Sequence, residues 1–340
     1  MKIVVTGLGA VAPNGLSVDS FWNSLCSGKS GIDFIKGFDT TDFPVKIAGE
    51  LPNFDPEKFI HKRELRKLDP FSVLALVASE EAIKHSGLDL DSIEKERVGI
   101  ILGSGVGGIH TLEEQHTVLK NKGPKRVSPY FVPKMIANIA AGHIAIKNGF
   151  QGPNQTIISA CASASDAIGY ALRLLRLGDA DVIISGGTEA SVSPMPMAGF
   201  ANMKALSHFD SDPKEASRPF DLDRNGFVMG EGAGFLVLET EEHAKKRNAH
   251  IIAELAGYGS TNDAFHVTQP IGGGSGAINA MKLAMNDGKL NLGDINYINA
   301  HGTSTYFNDK NESAAIKTLF GLLAKDLKVS STKSMTGHLL

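Results

Sequence analysis

At 340 residues, with 42% hydrophobic and 21% charged residues, the chain can bury a large core as two domains or one extended α/β unit. A formal charge of −3 gives no argument for a nucleic-acid partner, and no apolar run is long enough to span a bilayer. The two cysteines, Cys26 and Cys161, lie far apart without Cys-x-x-Cys or Cys/His ligand spacing, which argues against a disulfide framework or a zinc site.

Residues 2–6 predict a short buried strand running into a glycine turn at Gly7-Leu8-Gly9. No apolar h-region or cleavage site follows, so this is not a signal peptide. The third glycine of a dinucleotide fingerprint is missing, which removes that reading too. The expected location is the cytosol, or an organelle once a transit peptide has been removed.

A helix is predicted over 18–25, a loop-rich excursion over 28–55 and a long helix over 70–86. Ahead of the long helix, His61-Lys62-Arg63-Glu64-Leu65-Arg66-Lys67 concentrates positive charge, and Gly123-Pro124-Lys125-Arg126 adds a second basic cluster. Such runs are ordinarily solvated faces; the functional reading is a docking patch for an acidic partner. Residues 97–103 predict another buried strand, ending in Ser104-Gly105-Val106-Gly107-Gly108. These glycines permit close backbone approach but lack the Gly-Lys-Ser/Thr ending of a phosphate loop. A helix over 131–148 follows, with Pro133 near its start.

Thr156-Ile157-Ile158-Ser159-Ala160-Cys161-Ala162-Ser163 begins β-rich, reaches a lone cysteine among small residues, and continues as a helix over 166–177 with Ile168, Ala171, Leu172 and Leu175 at helical spacing. A lone cysteine is usually a small buried hydrophobe. At a helix start, however, unpaired N–H groups and the helix dipole favour the nucleophilic thiolate. Residues 181–187 predict a further buried strand, making a βαβ unit with parallel pairing. Residues 195–206 are Met-rich and read as core filler. A strand over 235–238 and a helix over 239–248 come next.

Near residue 250 the pattern restarts. A strand over 251–259 ends in Gly257-Tyr258-Gly259, followed by a helix over 274–287, a strand over 295–300 and a helix over 310–320. This repeat predicts two similar α/β halves, 1–250 and 251–340. Two histidines stand out in the second half: His301 at a strand end, and His338 closing Ser330-Ser331-Thr332-Lys333-Ser334-Met335-Thr336-Gly337-His338. In open parallel sheets, ligands collect beyond the carboxyl ends of strands, where Cys161 and both histidines fall. Neutral imidazoles there can stabilise an oxyanion while the thiolate carries an acyl group, and Lys333 adds positive charge.

Seven segments carry a resemblance: Val4-Val5-Thr6-Gly7-Leu8-Gly9, Ala160-Cys161-Ala162-Ser163, Ser185-Gly186-Gly187-Thr188-Glu189, Ala216-Ser217-Arg218-Pro219-Phe220-Asp221, Gly226-Phe227-Val228-Met229-Gly230-Glu231-Gly232, Asn299-Ala300-His301-Gly302-Thr303-Ser304-Thr305, and the stretch ending at His338. In order and over the whole length, they resemble the β-ketoacyl-acyl carrier protein synthases of the Cys-His-His type. The resemblance implies a thiolase-like α/β fold, two similar halves in a five-layered αβαβα arrangement, in a homodimer without cofactor or metal. It implies a decarboxylative Claisen condensation between an acyl-cysteine and malonyl-acyl carrier protein, with no nucleic acid or membrane as partner.

Residue by residue, the resemblance makes Cys161 the acyl-accepting nucleophile, with its backbone N–H in the oxyanion hole. His301 and His338 would assist decarboxylation, Lys333 and Glu312 form a supporting pair, and Phe227 lines the site. Val106 and Phe131 match the acyl channel and dimer interface. Lys62, Arg63, Arg66, Lys67, Lys125 and Arg126 fall where the acidic carrier protein docks. Competing readings are a polyketide ketosynthase, a non-catalytic partner subunit, and a cysteine hydrolase.

Two departures bear on this. After Thr305 the family continues with proline and small residues, whereas this chain has Tyr306-Phe307-Asn308, which predicts altered loop packing with Asp309 and Glu312 in place. Beyond the position of Leu340 the family continues with a glycine/alanine-rich helix, further strands and a Gly-Phe-Gly loop bearing a gating phenylalanine. The expectation is that the 340-residue chain is inactive alone or needs that segment supplied in trans.

Overall fold

The computed structural model describes residues 1–209 and 211–340. In chain order the first part holds β1 (Ile3–Val11), α1 (Val18–Cys26), β2 (Asp33–Phe34), β3 (Ile47–Ala48), α2 (Lys62–Leu65), α3 (Pro70–Ser86), β4 (Val98–Gly103), α4 (Ile109–Lys122), α5 (Phe131–Met135), α6 (Ile139–Asn148), β5 (Asn154–Ile157), α7 (Ser163–Leu177), β6 (Val182–Glu189), α8 (Pro194–Asn202), β7 (Gly232–Thr240) and α9 (Glu241–Lys246). After these come β8 (Ala253–Glu254), α10 (Ser275–Gly288), β9 (Tyr297–Asn299), α11 (Tyr306–Phe320), β10 (Lys328–Ser330) and α12 (Lys333–Thr336).

Six strands form one mixed sheet in the order β5-β4-β6-β7-β1-β8. β4 pairs in parallel with β5 and β6, and the ladders from β6 through β7 and β1 to β8 are antiparallel. The β5–α7–β6 crossover therefore passes over β4, the parallel unit read from the sequence. α7 buries Ala167, Ala171, Leu172 and Leu175 against one face of the sheet, together with Ile3, Ile101, Ile183 and Leu238. α3 covers the other face and is buried along most of its length, with Phe71, Ala75, Ala78 and Ala82 removed from solvent. Its start is set by Asp69, whose side chain accepts the Phe71 N–H, and by Pro70; its end by Gly87 at φ +65°.

The glycine turn expected after residue 6 does not form. β1 continues through Gly7 and Gly9 to Val11, with one bulge between Val5 and Gly7. The glycines serve packing instead of turning, because a Cβ on Gly7 or Gly9 would collide with the carbonyl oxygens of Ala82 and Ala78 in α3. The second Gly-x-Gly repeats the device: Gly257 and Gly259 lie against the carbonyls of Ala284 and Ala280 in α10. Only two residues of the strand expected over 251–259 join a ladder, and they extend the first sheet beside β1.

Other boundaries moved. The helix expected over 131–148 is split at Ile136, which is extended (ψ 133°). α4 was not anticipated, since its sequence is largely polar. β7 is longer than expected and takes Glu239 into the sheet, while α11 begins at Tyr306. β10 was also unanticipated; it pairs in parallel with β9 as a separate two-stranded sheet. Among the described residues no helix is long and apolar enough to cross a membrane.

Candidate active site

β9 and β10 run side by side, Ile298 beside Val329, so their carboxyl ends release the two histidine segments together. The Ala300 N–H donates to Ser330 O at 2.8 Å, and His301 follows directly. Two carboxylates from α11 hold the turn after it. Glu312 accepts the N–H groups of His301 and Gly302 at 2.7 and 2.8 Å, and Asp309 accepts that of Thr303 at 3.1 Å. Ser331 Oγ donates to Gly302 O at 2.8 Å from the neighbouring strand end. The other histidine is fixed by strand-like pairing: the His338 N–H donates to Val228 O (2.7 Å), and the Gly230 N–H donates to His338 O (2.8 Å).

Cys161 comes from the opposite sheet, between β5 and α7, two residues before the helix begins. Ala160 at φ +52° makes the elbow that presents it. One side-chain ligand atom from each of Cys161, His301 and His338 lies within 4.8 Å of the others. The imidazole rings stand nearly perpendicular, 5.4 Å apart, and Phe227 packs edge-on against His338 at 5.3 Å with Phe200 behind it.

Burial sets the charge states. It pulls His301 down to about 4, helped by the positive charge of Lys333. His338 lies well below the ordinary imidazole value for the same reason, with His301 and Lys333 adding to it. Both rings are therefore neutral at pH 7. His338 Nδ1 accepts the Leu340 N–H at 3.0 Å, so in the neutral ring the proton sits on Nε2 as a donor. That tautomer suits a hydrogen bond to an oxyanion better than metal ligation, although cysteine with two histidines is a donor set zinc accepts.

Cys161 keeps solvent-accessible surface, yet enough protein crowds it that burial pushes its thiol up. Lys333 and the residue's own backbone N–H act in the opposite direction. Among the described residues no acceptor takes that N–H. Lys333 is itself pulled down by burial, against the raising effect of Glu312.

The remaining sequence candidates are placed as follows. Phe227 is buried at the histidines. Lys333 and Glu312 do not form a direct ion pair within 4 Å; Glu312 is occupied by the two backbone N–H groups of the histidine turn. Val106 is 41% exposed on the loop after β4, and that loop packs on the helix carrying Phe131, with the Gly108 N–H donating to Met135 O. Lys62, Arg63, Arg66, Lys125 and Arg126 are exposed and Lys67 is half-buried. Lys67 pairs with Glu64 and Lys62 with Glu57, whereas no carboxylate among the described residues lies within ion-pair distance of Arg63, Arg66, Lys125 or Arg126.

Several residues outside the predicted site set shape it. Asp309 accepts from Thr303 and Phe220 and stands 3.4 Å from Arg224, whose guanidinium also donates to the Thr305 and Tyr306 carbonyls. Tyr306 and Phe307, the departure from the family pattern, form an exposed edge-to-face pair with Arg224 over the Tyr306 ring. Ser163 clamps the elbow, accepting the Ser159 N–H and donating to Ala160 O.

A thiol facing two neutral imidazoles at the carboxyl ends of strands is the equipment of a cysteine acyltransferase. Family comparisons agree. Residues 1–244 match the N-terminal domain of the beta-ketoacyl synthases and residues 252–340 their C-terminal domain. The chain belongs to the beta-ketoacyl synthase family. It is 48% identical over 340 residues to 3-oxoacyl-[acyl-carrier-protein] synthase 2 of Staphylococcus aureus (strain MRSA252), covering all of this chain and 82% of that protein. It is 47% identical over 339 residues to the protein of the same name from Synechocystis sp., with the same coverage.

Solved structures agree in shape. A type II polyketide ketosynthase in complex with its acyl carrier protein superposes with a TM-score of 0.90 at 35% identity, over 99% of this chain and 82% of that one. A beta-ketoacyl synthase from Burkholderia phymatum STM815 gives 0.91 at 34% identity, over 99% and 82%. The fold is thiolase-like.

Proposed function

We propose that the chain is a 3-oxoacyl-[acyl-carrier-protein] synthase that elongates acyl chains by decarboxylative Claisen condensation. The convergence of Cys161, His301 and His338 within 4.8 Å, with both imidazoles held neutral, carries this reading. In the first half-reaction the Cys161 thiolate attacks the thioester carbonyl of an acyl-carrier protein. The oxyanion collects at the Cys161 N–H, and the carrier thiol leaves. In the second, malonyl-carrier protein binds with its thioester carbonyl against the imidazole donors. Loss of CO2 gives an enolate stabilised there, its carbon attacks the acyl-cysteine carbonyl, and the C–S bond breaks. Acyl- and malonyl-carrier proteins and one proton thus yield a 3-oxoacyl-carrier protein, a free carrier thiol and CO2. Loss of CO2 makes the condensation irreversible.

Carrier-protein docking at Arg63, Arg66, Lys125 and Arg126 is supported by their exposure and by the lack of an acidic partner among the described residues. Their unpaired guanidinium and ammonium groups are available to acidic side chains. A homodimer is supported by the edge strand β5, which has a neighbour on one side only. The division near residue 250 is supported by the repeated Gly-x-Gly packing on α3 and α10. The polyketide reading rests on structures at 34–35% identity, and relatives at 47–48% favour chain elongation over it.

Incubation with a long-chain acyl-carrier protein followed by intact mass spectrometry tests the first half-reaction. Wild type should gain the mass of the acyl group and Cys161→Ala should not. A wild-type chain that stays folded and gains nothing even when the carboxyl-terminal segment of its relatives is supplied, or a Cys161→Ala chain that still gains the group, overturns the assignment.

A further inference from the structure

The residue preceding the cysteine is held in an unfavourable conformation. Ala160 at φ +52° occupies the left-handed region, which costs an ordinary side chain of order 1 kcal/mol and persists only where surroundings enforce it. Ser163 supplies two of the restraints, through the Ser159 N–H and the Ala160 carbonyl. A third comes from farther away. Ser159 Oγ donates to Asp166 Oδ2 at 2.5 Å, and the other oxygen of that carboxylate, Oδ1, accepts the Tyr258 hydroxyl at 2.5 Å.

Tyr258 lies beyond β8, in the later part of the chain, and is seated firmly on α7. Its ring fills the space over Gly169, where a Cβ would collide with it, and the Arg173 guanidinium stands 5.1 Å from the ring centre. Its N–H donates at 2.9 Å to Asp287 of α10, which is paired with Arg176 of α7 at 2.8 Å, and Arg176 also donates to Ala256 O. A chain of hydrogen bonds therefore runs from the second half through Asp166 to the elbow that carries Cys161.

We propose that Asp166 is a positioning residue for Cys161: Tyr258 anchors its carboxylate, the carboxylate anchors Ser159, and Ser159 sets the elbow that aims the sulfur. The seating of the second half on α7 thereby governs the reactivity of a cysteine contributed by the first. This inference rests on the reading of Cys161 as the acyl-accepting nucleophile.

The test uses Asp166→Asn, Ser159→Ala, Tyr258→Phe and the Ser159→Ala/Tyr258→Phe double variant, each checked by thermal melting. Two rates are read on Cys161 by intact mass: acylation from an acyl-carrier protein, and alkylation by iodoacetamide as a function of pH. At high pH, where the thiol is fully ionised, each single variant should acylate at least about ten-fold more slowly, the scale of a small misplacement. The concentration dependence on acyl donor should be unchanged. The double variant should be no slower than the slower single variant, because both break one chain. Ser159→Ala should leave the alkylation midpoint at its wild-type pH, because it changes the aim of the sulfur and no charge beside it. Unchanged limiting acylation rates in variants that melt like wild type, or losses that multiply in the double variant, overturn this proposal alone. A folded wild type that takes no acyl group even when the carboxyl-terminal segment of its relatives is supplied overturns the nucleophile reading and this proposal with it.

Discussion

Replacing His301 by Asn should change the pH dependence of stability by an amount set by the burial of the ring. Burial first, and the charge of Lys333 second, hold His301 at about 4 in the folded chain against 6.5 for an ordinary imidazole. Between those values the unfolded chain binds a proton on this residue that the folded chain does not. The stability due to the neutral ring is thus fully present above pH 6.5 and is lost as pH falls toward 4. At 1.36 kcal/mol per pH unit, the gap amounts to about 3 kcal/mol.

The raw profile also contains groups acting in the opposite direction. Burial pushes Glu189 and Glu231 up to about 7, and the stability they contribute in the protonated form is lost as pH rises from 4.5 through 7. Those contributions cancel in the difference between wild type and His301→Asn. Urea unfolding of both proteins between pH 4 and pH 7.5 gives that difference directly. It should move in favour of wild type by about 3 kcal/mol as pH rises across the interval. A difference that does not change with pH, or that grows as the solution is acidified, would show that burial does not hold the ring neutral.

Lys333→Ala removes the charge that helps lower both histidines and the Cys161 thiol. The alkylation midpoint of Cys161 should move to higher pH, and the His301 resonances should titrate at higher pH by NMR. Arg247→Ala should destabilise the fold by about 3 kcal/mol in denaturant unfolding, because it strips one partner from a buried carboxylate. Burial pushes Glu239 up, but bonds from His243, Arg247 and Thr6 outweigh it and hold the group at about 2. Gly9→Ala should cost about 3 kcal/mol by the same assay, since its Cβ meets the Ala78 carbonyl in a helix with no room to retreat. The Arg63→Glu/Arg66→Glu pair should raise KM for carrier-protein substrate, more strongly at low salt, and leave kcat near wild type.

Much of the fold was legible along the chain. The Pro70–Ser86 helix shows its N-cap, its proline and its closing glycine locally, and it was read at its observed bounds. The buried strands at 98–103 and 182–189 were recognised as short apolar runs next to glycines. α4 escaped because its apolar stripe is thin, and β10 because three residues with one apolar side chain have no periodicity to detect. Gly7 and Gly9 were misread because a glycine needed for a turn and a glycine needed for close packing look alike in a sequence. Only the arrival of α3 separates them.

For the site, the sequence by itself determined the reactive groups. A cysteine at a strand-to-helix junction and two histidines at strand ends are statements about residue type and local conformation, and both are written in short motifs. Tertiary structure alone decided what those groups can do. The neutrality of His301 and His338 comes from burial and from Lys333, and the Nε2–H tautomer of His338 from a bond to Leu340. Glu312 turns out to hold the histidine turn by its backbone while its charge raises Lys333, and Asp166 is joined to Tyr258 across 92 positions. Such relations depend on which surfaces meet when the sheets and helices pack, and distance along the chain carries no record of that.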